Sequence, residues 1–124
     1  GLTTGADNIV GTSGNDTING GLTAATGATI QAIDTIDGGA GTDTLNTTAS
    51  NAGDILGGAL VKNVENINVR VTAGTAATLD ASSAAGLTNI NANLGAGTLV
   101  ATNLAKGAAV NHPGNCGGCL VKVK

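Results

Sequence analysis

A nine-residue spacing of glycine and aspartate organises the first half of the sequence and limits what the chain can fold into. Residues 38–46 fit the pattern G-G-x-G-x-D-x-U-x, in which U is a large aliphatic residue, and residues 11–19 fit it except at Thr12. Partial copies in the same register begin at Leu2 and Thr29. A short fixed repeat places equivalent residues at equivalent points of successive turns, so the register predicts a β-solenoid.

The composition is consistent with a thin solenoid interior. The chain has 124 residues, of which 21 are Gly, and it contains no Phe, Trp, Tyr or Met. Aromatic side chains normally dominate core burial, so an ordinary compact core is not expected. With 41% hydrophobic and only 10% charged residues, the chain is also too apolar for a typical disordered segment. The absence of Met predicts a processed product or a piece of a longer chain.

The charges are unevenly distributed. Six of the eight acidic residues precede the first basic residue, Lys62. These carboxylates would repel one another if folding brought them together, and a cation from solution could cancel that repulsion. The net charge of −3 and the lack of aromatic rings for base stacking argue against nucleic-acid binding. No apolar run approaches the length of about eighteen residues that a membrane-spanning helix needs.

The nonapeptides resemble the RTX calcium-binding repeats of secreted bacterial proteins, whose fold is a parallel β-roll. The fold class expected is therefore all-β, a parallel β-roll over residues 1–48 that continues into a parallel β-helix or solenoid over residues 49–110. The resemblance implies Ca²⁺ as the cofactor, bound between successive loops. The residues implied as its ligands are Asp7, Gly11, Ser13, Asp16, Asp34, Gly38, Ala40 and Asp43.

The chemistry of the repeat agrees with this resemblance. Glycine adopts positive φ without a Cβ penalty, so the glycine-rich hexad can turn sharply and direct its carbonyls inward. Aspartate adds a hard anionic oxygen, and Ca²⁺ prefers several such oxygens in flexible geometry. The following x-U-x forms a short strand whose aliphatic residue points into the roll.

Two pairings of the loops are open. In an RTX roll two nonapeptides make one coil, so loops on one side are eighteen residues apart. That rule pairs Asp16 with Asp34 and leaves Ala25 as a missing ligand between Asp7 and Asp43. In the alternative, residues 22–31 bulge out as an insertion, and residues 38–43 approach residues 11–16 directly.

The second half carries a looser repetition. The segments 64–69 and 87–92 align residue by residue at a spacing of 23, and the segments 78–81 and 98–101 align at a spacing of 20. Apolar and polar residues alternate in them, which is typical of half-buried strands. The Asn residues 66, 68, 89, 91 and 93 either form side-chain ladders or face solvent, and solvent exposure is slightly favoured. The Thr residues form no regular T-x-T row, which makes an ice-binding face a minority interpretation.

The whole arrangement resembles the repeat region of RTX-type surface-layer proteins and large secreted adhesins. This resemblance implies type I secretion, an extracellular or cell-surface location, and folding on contact with external calcium. The leading hypothesis is a structural segment that self-associates into a lattice or fibre or contacts cell-surface glycan. The alternatives are an ice- or glycan-binding module and an accessory RTX domain of a secreted enzyme or toxin. With one His and no recognisable triad, the chain is not expected to be an enzyme.

The tail, residues 111–124, departs from this family. It contains the only His, the only Pro and both cysteines, Cys116 and Cys119. A locally closed or free thiol pair is ranked first, half of a zinc site with His112 second, and a redox pair last, because a redox motif is usually found in a βαβ setting.

Overall fold

The chain folds into a stack of coils made of short parallel strands. A computed structural model describes residues 8–23, 34–49, 53–56, 59–71, 76–94, 97–111 and 120–123. The first described coil contains β1 (Asn8–Val10) and β2 (Thr17–Thr23), and the second contains β3 (Thr35–Asp37), β4 (Thr44–Ala49) and β5 (Gly53–Asp54). The third contains β6 (Leu60–Lys62), β7 (Asn66–Val71) and β8 (Ala76–Asp80). The fourth contains β9 (Ala84–Ala85), β10 (Asn89–Leu94) and β11 (Thr98–Thr102), and the last contains β12 (Ala109–Asn111) and β13 (Leu120–Val123).

Successive strands of a coil belong to three different sheets, so the coil has three sides. Sheet A has the order β1-β3-β6-β9, sheet B the order β12-β10-β7-β4-β2, and sheet C the order β13-β11-β8-β5. Every strand pair in these sheets is parallel. The expectation of an all-β parallel roll continuing into a parallel solenoid is confirmed. Sheet B crosses the predicted domain boundary at residue 48, because β4 pairs with β7.

The longer strands form because their inward-facing residues are mostly small or branched and apolar, and their outward-facing residues are mainly polar. In β7 the residues Ile67, Val69 and Val71 are buried and their neighbours are partly or fully exposed. Leu45 and Ile90 pair with Ile67 in the adjacent coils, which gives an aliphatic row along the axis of the stack. Burying one such side chain contributes about 1.5–3 kcal/mol, so stacked rows stabilise the solenoid without aromatic residues.

The coil is longer than the family resemblance implied. The distance from one coil to the next is 27 residues at the first step, as in the pairing of Asn19 with Asn46, and 22, 23 and 20 residues at the later steps. The expected coil of eighteen residues is therefore wrong for the described strands. The physical reason is the number of sides. A coil that closes through three sheets needs more residues than one with two sides, and the first step has the length of three nonapeptides.

The strand register of the second half is partly as predicted. The spacing of 23 between segments 64–69 and 87–92 is confirmed, because Asn66 pairs with Asn89 and Ile67 with Ile90. The spacing of 20 between segments 78–81 and 98–101 is wrong, since Thr98 pairs with Ala76 and Val100 with Thr78. The similarity of the two segments in residue type favoured an alignment displaced by two residues from the observed register. A displacement by two leaves the alternation of inward and outward side chains unchanged.

A ladder of asparagine side chains runs along the outer face of sheet B. The amide of Asn46 donates to Asn19 at 3.0 Å, and the following amides donate to the preceding coil at 2.9 Å each. The full ladder comprises Asn19, Asn46, Asn68, Asn91 and Asn111. A second, shorter ladder joins Asn89 to Asn66. The favoured interpretation of simple solvent exposure is wrong for these residues, because the parallel in-register pairing brings equal side chains within hydrogen-bond distance. The side chain of Asn93 lies outside the described residues.

Helical structure in the described ranges is limited to the 3₁₀ turn Ala81–Ser83, whose N-cap Asp80 accepts the Ser82 N–H at 3.0 Å. No helix there has the length and apolar character needed to cross a membrane.

Candidate metal centre

The corner at which the chain leaves sheet A and enters sheet B changes along the stack. It has six residues in the first two coils, 11–16 and 38–43, and three residues in the next two, 63–65 and 86–88. Residues 38–43 lie directly against residues 11–16: the Gly11 N–H donates to the Asp37 carbonyl at 2.7 Å, and the Thr42 N–H donates to the Asn15 side chain at 2.7 Å. Of the two open pairings, the direct approach of the hexads is confirmed. The pairing of Asp16 with Asp34 is wrong, because Asp34 lies at the opposite end of β3.

The glycines of the second hexad are required by the closeness of the first. Gly39 and Gly41 have φ of 81° and 90°, which residues with side chains rarely adopt. A Cβ at Gly39 would lie 2.5 Å from the Thr12 carbonyl oxygen, and one at Gly41 would lie 2.7 Å from the Gly14 carbonyl oxygen. The glycine-rich hexad therefore lets carbonyl oxygens of one coil approach the backbone of the next.

Three acidic residues form a column at the end of this corner, one in each of three successive coils. The Asp16 N–H donates to Oδ1 of Asp43 at 2.7 Å, and the Asp43 N–H donates to Oε1 of Glu65 at 2.7 Å. Their backbones are also linked, since the Thr44 N–H donates to the Asp16 carbonyl at 2.9 Å. The carboxylates of Asp43 and Glu65 thus satisfy the N–H of the acidic residue in the preceding coil, while three negative charges are stacked along the axis.

One buried oxygen in this column has no hydrogen-bond partner. Asp43 is 0% exposed, and its Oδ2 is a buried polar atom without a partner. A Cβ built on Gly38 would lie 2.6 Å from this Oδ2 and 2.1 Å from the carbonyl oxygen of Asn63, so both oxygens lie close to the backbone of Gly38. A buried, unpaired carboxylate oxygen is costly, and a cation is a physical means of compensating it.

This arrangement fits Ca²⁺. The Asp43 carboxylate would supply a hard anionic ligand, and the carbonyl of Asn63 is a backbone oxygen of the type that Ca²⁺ accepts in its flexible coordination. In the described part of the chain no three His, Cys, Asp or Glu side chains come together as a metal cluster.

A neighbouring carboxylate at the same corner is satisfied by the protein itself. The Asn63 amide and the Gly39 N–H both donate to Oδ1 of Asp37 at 2.9 Å, and Nζ of Lys62 lies 3.8 Å from Oδ2. These hydrogen bonds, that of Asn63 first, hold the pKa of Asp37 below its ordinary value. Asp37 therefore stays ionised and positions the backbone of the hexad beside it.

The remaining residues implied as ligands are distributed over the same stack. Ser13 and Ala40 are exposed at the tips of the two hexads, while Gly11 and Gly38 begin them. Asp34 is buried ahead of β3, and its carbonyl accepts the Leu60 N–H at 3.1 Å. Asp7, Cys116 and Cys119 lie outside the described residues. Their roles stay predictions.

Sequence reasoning missed Asn63 and Glu65. Both lie in a three-residue corner that has lost the hexad: Asn63 replaces the first glycine and adopts φ of 56°, and buried Val64 fills the corner. A usable signal existed, since Glu65 directly precedes β7 just as Asp16 precedes β2 and Asp43 precedes β4.

Comparison with known families agrees with the geometry of this corner. A family model described as "RTX calcium-binding nonapeptide repeat (4 copies)" matches residues 3–22 and 32–51, about a third of the chain. The chain shows no significant match to a curated protein or to a solved structure. The matched segments contain both hexads. They are RTX nonapeptide repeats, which makes this part of the chain a calcium-binding β-roll segment with Ca²⁺ as its cofactor.

Proposed function

We propose that the chain is a calcium-stabilised structural segment of a secreted bacterial surface-layer or adhesin-like protein, which folds and assembles outside the cell. The observation that carries this proposal is the buried, unpartnered Oδ2 of Asp43. A folded chain without a cation buries that oxygen without a partner, whereas a bound calcium ion would supply one.

Calcium would act on folding because its site exists only in the folded stack. Oδ2 of Asp43 and the Asn63 carbonyl come from different coils, and the parallel pairing of β4 with β7 brings them together. In the unfolded chain the two groups are separated, so the free energy of binding becomes free energy of folding. Low calcium inside a cell would keep the acidic half loose, and higher external calcium would close it.

A structural role is supported by the regularity of the described surface. Sheet B presents a continuous asparagine ladder, and each coil contacts mainly the coils before and after it. Such a stack resists local unfolding through nearest-neighbour contacts and can be extended by further coils.

A carbohydrate-binding role is the second candidate. A shallow depression on sheet B is lined by polar side chains, among them Asn46, Asn68 and the exposed Arg70. The test measures the binding of bacterial surface polysaccharide to the Arg70→Ala variant. The control is Lys106→Ala, which removes another exposed cation. Equal binding by both variants would reject a role for the depression.

The proposal is tested by a calcium titration followed by circular dichroism and thermal melting. We expect the β-sheet signal and the melting temperature to rise cooperatively with Ca²⁺ and to fall again with EDTA. Mg²⁺ should be a poor substitute, because it demands near-octahedral geometry and gives up its water reluctantly. A protein equally folded and equally stable in EDTA would overturn the proposed role of calcium. Ordered lattices or fibres in electron micrographs of calcium-loaded protein would support assembly, and strictly monomeric protein at high concentration would reject it.

A further inference from the structure

The two stacked hexads have different requirements for a cation. We infer that the hexad at residues 38–43 needs a bound calcium ion, whereas in the hexad at residues 11–16 the side chain and N–H of Thr12 take the place of the ion. This inference rests on the proposed calcium binding and adds to it which carboxylate binds the metal and why.

In the first hexad the carboxylate is fully occupied by its own loop. The Thr12 N–H donates to Oδ2 of Asp16 at 2.7 Å. The Thr12 hydroxyl, 3.0 Å from Oδ1 and 3.1 Å from Oδ2, also donates to this carboxylate. The same hydroxyl accepts the Gly14 N–H at 3.1 Å, which fixes its orientation. Two donors from one residue therefore supply the positive partial charges that a cation would otherwise supply.

In the second hexad the equivalent donor is missing. Gly39 occupies the position of Thr12 in the next coil and has no hydroxyl. Its N–H donates to Oδ1 of Asp37 at 2.9 Å, and its φ is 81°. Asp43 keeps a single described donor, the Asp16 N–H on Oδ1, and Oδ2 is left unpartnered at 0% exposure.

The backbone around the two carboxylates is otherwise alike. A Cβ at Gly11 would lie 2.3 Å from the Gly38 carbonyl oxygen and 2.8 Å from Oδ2 of Asp16. A Cβ at Gly38 would lie 2.1 Å from the Asn63 carbonyl oxygen and 2.6 Å from Oδ2 of Asp43. Each hexad thus places one carboxylate oxygen and one carbonyl oxygen of the next coil close to the backbone of its first glycine. The difference in donors comes from two positions, Thr12 against Gly39 and Val10 against Asp37, whose carboxylate accepts the Gly39 N–H.

The test counts bound calcium ions by isothermal titration calorimetry and by equilibrium dialysis with atomic emission. We expect Asp43→Asn to lose one ion relative to the unmodified chain, and Asp16→Asn to keep the full number. The double variant Val10→Asp/Thr12→Gly should gain one ion, because it removes the hydroxyl donor and supplies at position 10 the carboxylate that accepts the glycine N–H in the next coil. Adding Asp16→Asn to this double variant should return the number of ions to that of the unmodified chain.

Thr12→Ser is the matched control, since it keeps both donors and should leave the number of ions unchanged. Circular dichroism at saturating calcium checks that each variant folds. If Val10→Asp/Thr12→Gly does not fold, the comparison of Asp16→Asn with Asp43→Asn decides alone. Loss of one ion in Asp16→Asn, or a folded Val10→Asp/Thr12→Gly without an extra ion, would overturn the inference while leaving calcium binding intact. An unmodified chain that binds no calcium would instead overturn the proposed function.

Discussion

Replacing Asp43 by Asn should stabilise the folded chain in EDTA and destabilise it in the presence of calcium. The substitution keeps the shape of the side chain and removes its charge. The retained oxygen can still accept the Asp16 N–H, now 2.7 Å from Oδ1. The new amide would replace the unpartnered Oδ2 and would face the carbonyl oxygen of Asn63, to which it can donate.

The free energies of the unpartnered oxygen and of calcium binding can be estimated separately. A buried acceptor without a partner costs about 1–3 kcal/mol, more when it is charged, so in EDTA the variant should be more stable than the unmodified chain by about that amount. At a calcium concentration about 1,000 times Kd, binding stabilises the unmodified chain by about 4.1 kcal/mol. The variant lacks this term, so in calcium it should be less stable by roughly 1–3 kcal/mol.

Scanning calorimetry or melts followed by circular dichroism measure both differences, because the chain has no Trp or Tyr for fluorescence. One kcal/mol corresponds to a shift in Tm of roughly 2–8 °C for domains of this size range. Asp80→Asn is the control, an acidic residue at a different corner whose effect should be the same in EDTA and in calcium. The reasoning is refuted if Asp43→Asn is destabilised equally in both conditions, or if calcium stabilises it as much as the unmodified chain.

Three further predictions concern backbone approach, the asparagine ladder and pH. Gly38→Ala should lower the melting temperature strongly, because its Cβ would lie 2.1 Å from a carbonyl oxygen. Gly14→Ala is the control, since the nearest atom to its Cβ would be 3.7 Å away, and it should melt almost as the unmodified chain does. Similar melting temperatures for the two variants would contradict this prediction. Asn68→Ala removes two ladder hydrogen bonds and should cost about 1–3 kcal/mol by calorimetry, and an unchanged melting temperature would show the ladder to be energetically neutral. The hydrogen bond from Asn103 is the main cause of a lowered pKa of Asp80. Asp80 therefore stabilises the fold above a pH of about 3.9, the pKa of an unfolded Asp, and this contribution is lost as the pH falls through the lower pKa of the folded state. Asn103→Ala should flatten acid unfolding in this range, and an unchanged acid transition would reject the link.

The sequence predicted the type of fold and the hexads, because both depend on local chemistry. The glycine and aspartate positions of residues 38–43 define the sharp turn, and the repeated N-I-N triplet aligned β7 with β10. The number of sides in a coil depends on how distant strands close, and a nine-residue register is compatible with two or three sides. The sequence therefore left open which loop faces Asp16.

The finer features of the site required contacts that no spacing reveals. The departure from the repeat at Thr12 is visible in the sequence, but its effect depends on hydrogen bonds to Asp16 within the turn. Asn63 and Glu65 belong to a coil without a hexad, so their proximity to Asp43 follows only from the pairing of β4 with β7. The asparagine ladder likewise depends on strand register, since the same residues displaced by one position would face inward.

The asparagine ladder shows that the alignment of the coils does not depend on the number of residues in each coil. The ladder keeps its hydrogen bonds across steps of 27, 22, 23 and 20 residues, so the changes in length are absorbed between the strands and do not displace them. Lengthening an exposed loop costs little entropy, because the cost rises only with the logarithm of its length. Insertions and deletions between the strands can therefore accumulate without disturbing the stack. A protein built in this way can vary its outline from coil to coil while every new coil is aligned by one asparagine.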